Sequence, residues 1–134
     1  MDKFVTNYCF ACGKDNDIGL KLEFIDLEGG GSMAYFTPKP EHQGYNDFMH
    51  GGLISTLLDE LMAREVWVRY APAVTARLNV EYHHPINIGE EVQIIAHVTN
   101  IKRNGKIFEA KAEIISSDKI ILARGTSILI KTEK

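Results

Sequence analysis

The chain has no run of apolar residues long enough to span a bilayer, and its opening, MDKFVTNYCF, lacks the apolar core of a secretory signal. It has no basic excess either. Fifteen Lys and Arg face eighteen Asp and Glu, a net charge of −3, so no positive field gathers nucleic acid. Cysteine is scarce: Cys9 and Cys12, in CFACG, are the only two. A tetrahedral zinc site needs four ligands, and no second C-x-x-C supplies them. The spacing of His42, His83 and His84 shows no completion, and adjacent strand residues such as His83 and His84 point to opposite faces. The pair therefore reads as two thiols in a structured N-terminal turn, with a metal or a redox couple as the alternatives. No linker, repeat or low-complexity tract interrupts the chain. Its 134 residues, 45% hydrophobic and 25% charged, read as one domain, 1–134, with 1–19 as an N-terminal extension. The default expectation is a cytoplasmic protein with no nucleic-acid, membrane or metal partner.

What is present has a clear order. Residues 20–28, LKLEFIDLE, alternate as a strand does. Gly29, Gly30 and Gly31 turn the chain into a return strand from Ser32 to Thr37, which Pro38 and Pro40 end. Residues 41–50 show no period and read as a loop. Residues 51–69 read as the one long helix, with Leu53, Ile54, Leu57, Leu58, Leu61 and Met62 at helical spacing and Pro72 beyond its end. Long strands follow. In TARLNVEYHH the alternation puts Ala76, Leu78, Val80 and Tyr82 on one face and Thr75, Arg77, Asn79 and Glu81 on the other. Strands over 90–102, 106–116 and 119–131 are joined at Asn104-Gly105, a type I′ hairpin signal, and at Ser117-Asp118. One long helix on the concave face of a six-stranded antiparallel sheet is the α+β expectation.

HGGLISTLLDE, residues 50–60, carries the chemistry. Two glycines at a helix start cost helix propensity but leave the first N–H groups open. Those groups have no partner inside the helix, and the helix dipole makes that end positive. A carbonyl turning into an oxyanion fits there, and His50, just ahead, shapes the loop or donates. Asp59 stands on a stripe that is otherwise small, with Gly52, Thr56 and Ala63 leaving room beside it. A carboxylate in such a place is costly unless paired or working, as a general base or a nucleophile. Gly51 and Asp59 are eight residues apart, roughly 12 Å along a helix, so one carbonyl cannot touch both in one chain. If both groups serve one reaction, the active unit is at least a two-fold dimer with sites across its interface.

With CFACGKDNDIGLKLEF before it, HQGYNDFMHGGLISTLLDE at the centre and TARLNVEYHHPINIGE after it, the chain resembles the hotdog-fold acyl-CoA thioesterases over most of its length. The branch it resembles is related to the phenylacetate-degradation thioesterase. The resemblance implies an antiparallel sheet wrapped around a central helix, homodimers that pair into tetramers, and hydrolysis of acyl-CoA with no cofactor beyond the coenzyme A of the substrate. It makes Asp59 the catalytic carboxylate, the Gly51 N–H the carbonyl donor with His50 beside it, and Thr75 a neighbour of the attacking water. Some relatives carry Asn six residues before the histidine, where this chain has Gly44 with Gln43 beside it. Gln43, Gly52 and Thr56 are expected to line the substrate, and Arg103, Asn104 and Lys106 to meet coenzyme A phosphates. Two other classes stand as alternatives: a non-catalytic acyl-CoA-binding module and a hotdog hydratase or dehydratase.

Overall fold

The computed structural model describes Phe4 and residues 6–132. After an N-terminal extension come β1 (Ile25–Asp26) and β2 (Ser32–Phe36), a 3-10 turn at Pro40–His42, and α1 (Gly51–Arg69). Four long strands follow: β3 (Ala73–Tyr82), β4 (Val92–Lys102), β5 (Ile107–Ser116) and β6 (Ile121–Lys131). They make one six-stranded sheet in the order β1-β2-β4-β5-β6-β3, antiparallel throughout. The expected six-strand, one-helix α+β arrangement is the one found. No helix among the described residues is long and apolar enough to cross a membrane.

The helix is seated by size complementarity. Leu57, Leu58, Leu61, Met62 and Val66 are wholly buried on its sheet-facing side. Beneath them the sheet presents small residues, Ala34, Ala96, Ala110, Ala112 and Ala123. Gly125 is the tightest point, since a Cβ there would lie 3.3 Å from the Leu58 Cβ. Phe108, Ile94, Ile114 and Leu129 fill the space around this floor.

Three local readings need correction. The strand expected over 20–28 pairs only at Ile25–Asp26. Lys21 takes a left-handed φ of 55°, while Leu20 and Leu22 donate to the Phe10 and Ala11 carbonyls. The alternation there reflects two leucines buried under the N-terminal extension. The hairpin at Asn104-Gly105 is not a two-residue turn. Lys102 pairs with Ile107, and Arg103, Asn104 and Gly105 all have positive φ, so the loop has four residues. In β3 a bulge at Thr75–Arg77 inserts Ala76, which is exposed. Thr75 thereby moves to the helix-facing side with Leu78, Val80 and Tyr82, against the simple alternation.

The helix is tied at its far end by a buried charge that the periodicity did not reveal. Glu65, 2% exposed, accepts from the Gly31 N–H (3.0 Å), the Ser32 hydroxyl (2.8 Å) and the Arg69 Nε (2.7 Å). Arg64 pairs with Asp26 and donates to Ser32. These bonds hold the β1–β2 hairpin on α1. Replacing Glu65 with Ala leaves two buried donors unpaired, and we expect a loss of about 3 kcal/mol. Arg69→Ala removes only an exposed partner and should cost much less. Urea unfolding of the two variants against wild type measures the difference.

Candidate active site

The start of α1 is built from the loop before it. Pro40 begins the 3-10 turn, and Lys39 donates its N–H to the His42 Nδ1 at 2.9 Å. Burial, with Lys39 adding to it and Glu41 opposing, holds His42 below its ordinary value. The neutral ring keeps Nδ1 free to accept. The His42 carbonyl then accepts the His50 N–H at 2.8 Å, and the Met49 N–H reaches the Ile86 carbonyl at 2.8 Å. Gln43 fastens the intervening loop with both ends of its amide, to the Pro40 carbonyl and the Asp47 N–H. The helix therefore enters from a braced segment.

His50 is the N-cap of α1, and its Nδ1 accepts the Gly52 N–H at 2.8 Å. That role fixes the tautomer of a neutral ring, with the proton on Nε2. Gly52 is spent on the cap. Gly51 is not: among the described residues its N–H meets no acceptor. Tyr82 on β3 covers the other side of this glycine. Its hydroxyl donates to the Gly51 carbonyl at 2.9 Å and lies 2.7 Å from the Ser55 hydroxyl. The sequence puts Tyr82 on one face of its strand with Leu78 and Val80 but gives it no part in the site. The same alternation, read against the helix start, was the available signal. Gln43, Gly44, Tyr45, Met49, His50, Gly51, Gly52 and Tyr82 line an open cleft of about 710 Å³.

Asp59 lies two turns further along, half-buried. The Thr75 hydroxyl, brought inward by the bulge, donates to its Oδ1 at 2.8 Å. Among the described residues Oδ2 has no donor. The carboxylate does not line the Gly51 cleft, so one chain keeps the open N–H and the acid apart, as the helical spacing requires. Thr56 turns its hydroxyl to the Gly52 carbonyl and is not part of the cleft wall. Arg103, Asn104 and Lys106 are exposed at the β4–β5 loop, away from the cleft lining. Trp67 donates to the Ala73 carbonyl and Tyr70 packs on Phe108, so both are packing residues, whereas exposed Tyr45 is cleft wall.

The arrangement matches a known family. Residues 46–120, more than half the chain, fit the family model described as the thioesterase superfamily. The chain belongs to that superfamily. The human protein named acyl-coenzyme A thioesterase 13 is 32% identical over 80 residues, covering 58% of this chain and 57% of that one. The smu.793 protein of Streptococcus mutans, solved bound to acetyl CoA, superposes with a TM-score of 0.77 at 20% identity, over 84% of this chain and 90% of that one. The E. coli PaaI protein of the phenylacetic acid degradation operon gives 0.76 at 17% identity, covering 84% of each. The fold and the thioesterase resemblance read from the sequence therefore stand. The chain spans 57% to 66% of the length of the first curated relatives it matches.

The cap is open to a direct check on this thioesterase-superfamily chain. His50→Ala should cost about 1 kcal/mol in thermal or urea unfolding, and His50→Asn should recover most of it, since Asn caps a helix through its own side-chain oxygen.

Proposed function

We propose that this protein hydrolyses acyl-CoA thioesters to the free acid and coenzyme A at two sites shared across a homodimer. The observation that carries the reading is the Gly51 N–H, without an acceptor among the described residues, at the positive end of α1 on a residue that lines an open cleft. A thioester carbonyl placed there gains a donor aimed where negative charge develops. Asp59 of the opposing chain attacks directly, or takes a proton from a water held beside Thr75. Coenzyme A leaves as a thiolate, and the water supplies the oxygen and proton of the products. Coenzyme A enters as part of the substrate, and no other cofactor or metal takes part. The family membership and the names of the relatives support the substrate class. Arg103, Asn104 and Lys106 are assigned to the phosphates of coenzyme A, and Gln43, Gly52 and Thr56 to positioning. Dimers pair into tetramers in this reading, and the location is cytoplasmic.

Thiol release from a panel of acyl-CoAs tests it. Asp59→Asn should lower turnover by about 10²–10⁴-fold with the fold intact. Gly51→Pro is the sharper variant. Proline is favoured at the first helical position, His50 is already extended before it (φ −61°, ψ 133°), and a Cβ on Gly51 meets only ordinary contacts with Tyr82. The change removes the N–H and should cost about 10²–10³-fold. Co-refolding the two inactive variants should restore about a quarter of wild-type activity, because each mixed dimer has one intact site. Wild-type-like hydrolysis by Asp59→Asn would sink the assignment, and inactive mixed dimers would put both groups in one chain's reaction. Acyl-CoA binding without thiol release would instead identify a binding module, and hydration of an enoyl-CoA a hydratase.

A further inference from the structure

Hydrolysis makes no use of the cluster formed by Cys9, Cys12 and Glu60. Two thiols of the N-terminal extension and a carboxylate of α1 bring three ligand atoms within 4.8 Å of one another. Cys12 is 3% exposed, and the Cys9 Sγ lies 3.7 Å from the Glu60 Oε2. Buried Cys12 and half-buried Cys9 and Glu60 thus set two thiols and a carboxylate side by side, a donor set that suits a thiophilic cation.

The spacing suits a metal. A tetrahedral zinc ion with a sulfur at about 2.3 Å and a carboxylate oxygen at about 2.0 Å holds those ligand atoms about 3.5 Å apart, close to the separation found. The backbone is also prepared. The Gly13 N–H closes the C-x-x-C turn on the Cys9 carbonyl at 2.8 Å. No side chain is tolerated at Gly13, where a Cβ would lie 2.5 Å from the Asn7 oxygen and the Cys9 nitrogen. Leu20 and Leu22, bonded to Phe10 and Ala11, hold the residues between the cysteines without help from the thiols. Glu60 is borne on the rigid helix.

We propose that Cys9, Cys12 and Glu60 bind one thiophilic divalent cation of the zinc kind, with a water in the fourth position, and that the ion clasps the N-terminal extension to α1. Binding releases the two thiol protons, and the proton of Glu60 where it carries one, to solvent, so three negative ligands and one dication leave a single negative charge. The site is distinct from the reacting groups. Glu60 points to the extension, whereas its neighbour Asp59 points to Thr75.

Cobalt(II), added to the reduced full-length chain, is the probe. The expected result is one ion per chain, a thiolate-to-cobalt charge-transfer band with tetrahedral visible bands, displacement by zinc, and a higher melting temperature with zinc than with chelator. Cys12→Ser should abolish the charge-transfer band. Glu60→Gln, which keeps the shape and hydrogen-bonding capacity of the side chain, should weaken binding at least about tenfold, the loss that follows even from removing a group behind a metal ligand. No charge-transfer band on the wild-type chain at about tenfold excess cobalt, with both thiols free by titration, overturns the proposal. So does undiminished binding by Glu60→Gln, or isolation of the chain with a Cys9–Cys12 disulfide and no bound metal.

Discussion

Everything in this molecule depends on how closely one helix can approach one sheet. Register places Ser32, Ala96, Ala112 and Gly125 directly opposite one another across β2, β4, β5 and β6, so a row of minimal side chains crosses the sheet. Leu58 and Met62 lie over the Gly125 end of that trough. Larger residues in the row would lift the helix. The Tyr82–Gly51 and Thr75–Asp59 contacts, each a single hydrogen bond between β3 and α1, would then open together. The depth of the helix is thus a property of the core that sets the geometry of the site.

A deeply seated helix must also account for its acids. Asp59, Glu60 and Glu65 meet that demand in three different ways. Glu65 is saturated by a backbone N–H, a hydroxyl and a guanidinium and has little left to offer a substrate. Glu60 faces two thiols, and desolvation favours its neutral form. Among the described residues Asp59 has one donor, Thr75, and one oxygen without a donor, beside small neighbours. An oriented carboxylate with an unspent lone pair is what a general base or nucleophile requires. The distinction among three acids on one helix comes from counting donors, not from burial alone.

Much of this was legible in the sequence because the strongest signals coincide. The apolar spacing of 51–69, the Gly-Gly start and Pro72 beyond the end mark the same helix, and it was found at those bounds. The long strands followed from alternation and turn residues. What escaped were backbone conformations that ordinary residues adopt under tertiary pressure. Lys21, Arg103 and Asn104 take positive φ, and no residue type announces the bulge at Ala76. The bulge matters most, since simple alternation turns Thr75 away from the helix while the resemblance needs it beside Asp59. A two-for-one register shift reconciles them. Glu65 escaped because a glutamate in an amphipathic pattern looks like a solvent-facing residue until its partners in the β1–β2 hairpin are known.

On the proposed reading, the division of labour between two chains follows from the helix itself. The open N–H of a helix exists only in its first turn, so the carbonyl donor must be at residue 51 or its neighbours. The acid needs a different environment. Near the N-terminus the helix dipole would stabilise a carboxylate and lower its basicity. Asp59, two turns along, is held by a hydroxyl from β3 instead. The separation that preserves both properties also prevents them from meeting within one chain. Two such helices side by side and antiparallel resolve the conflict twice over by one symmetric contact, the N–H of each opposite the carboxylate of the other. A longer side chain cannot substitute for this arrangement. Glutamate adds only one methylene, far short of the roughly 12 Å between the two positions.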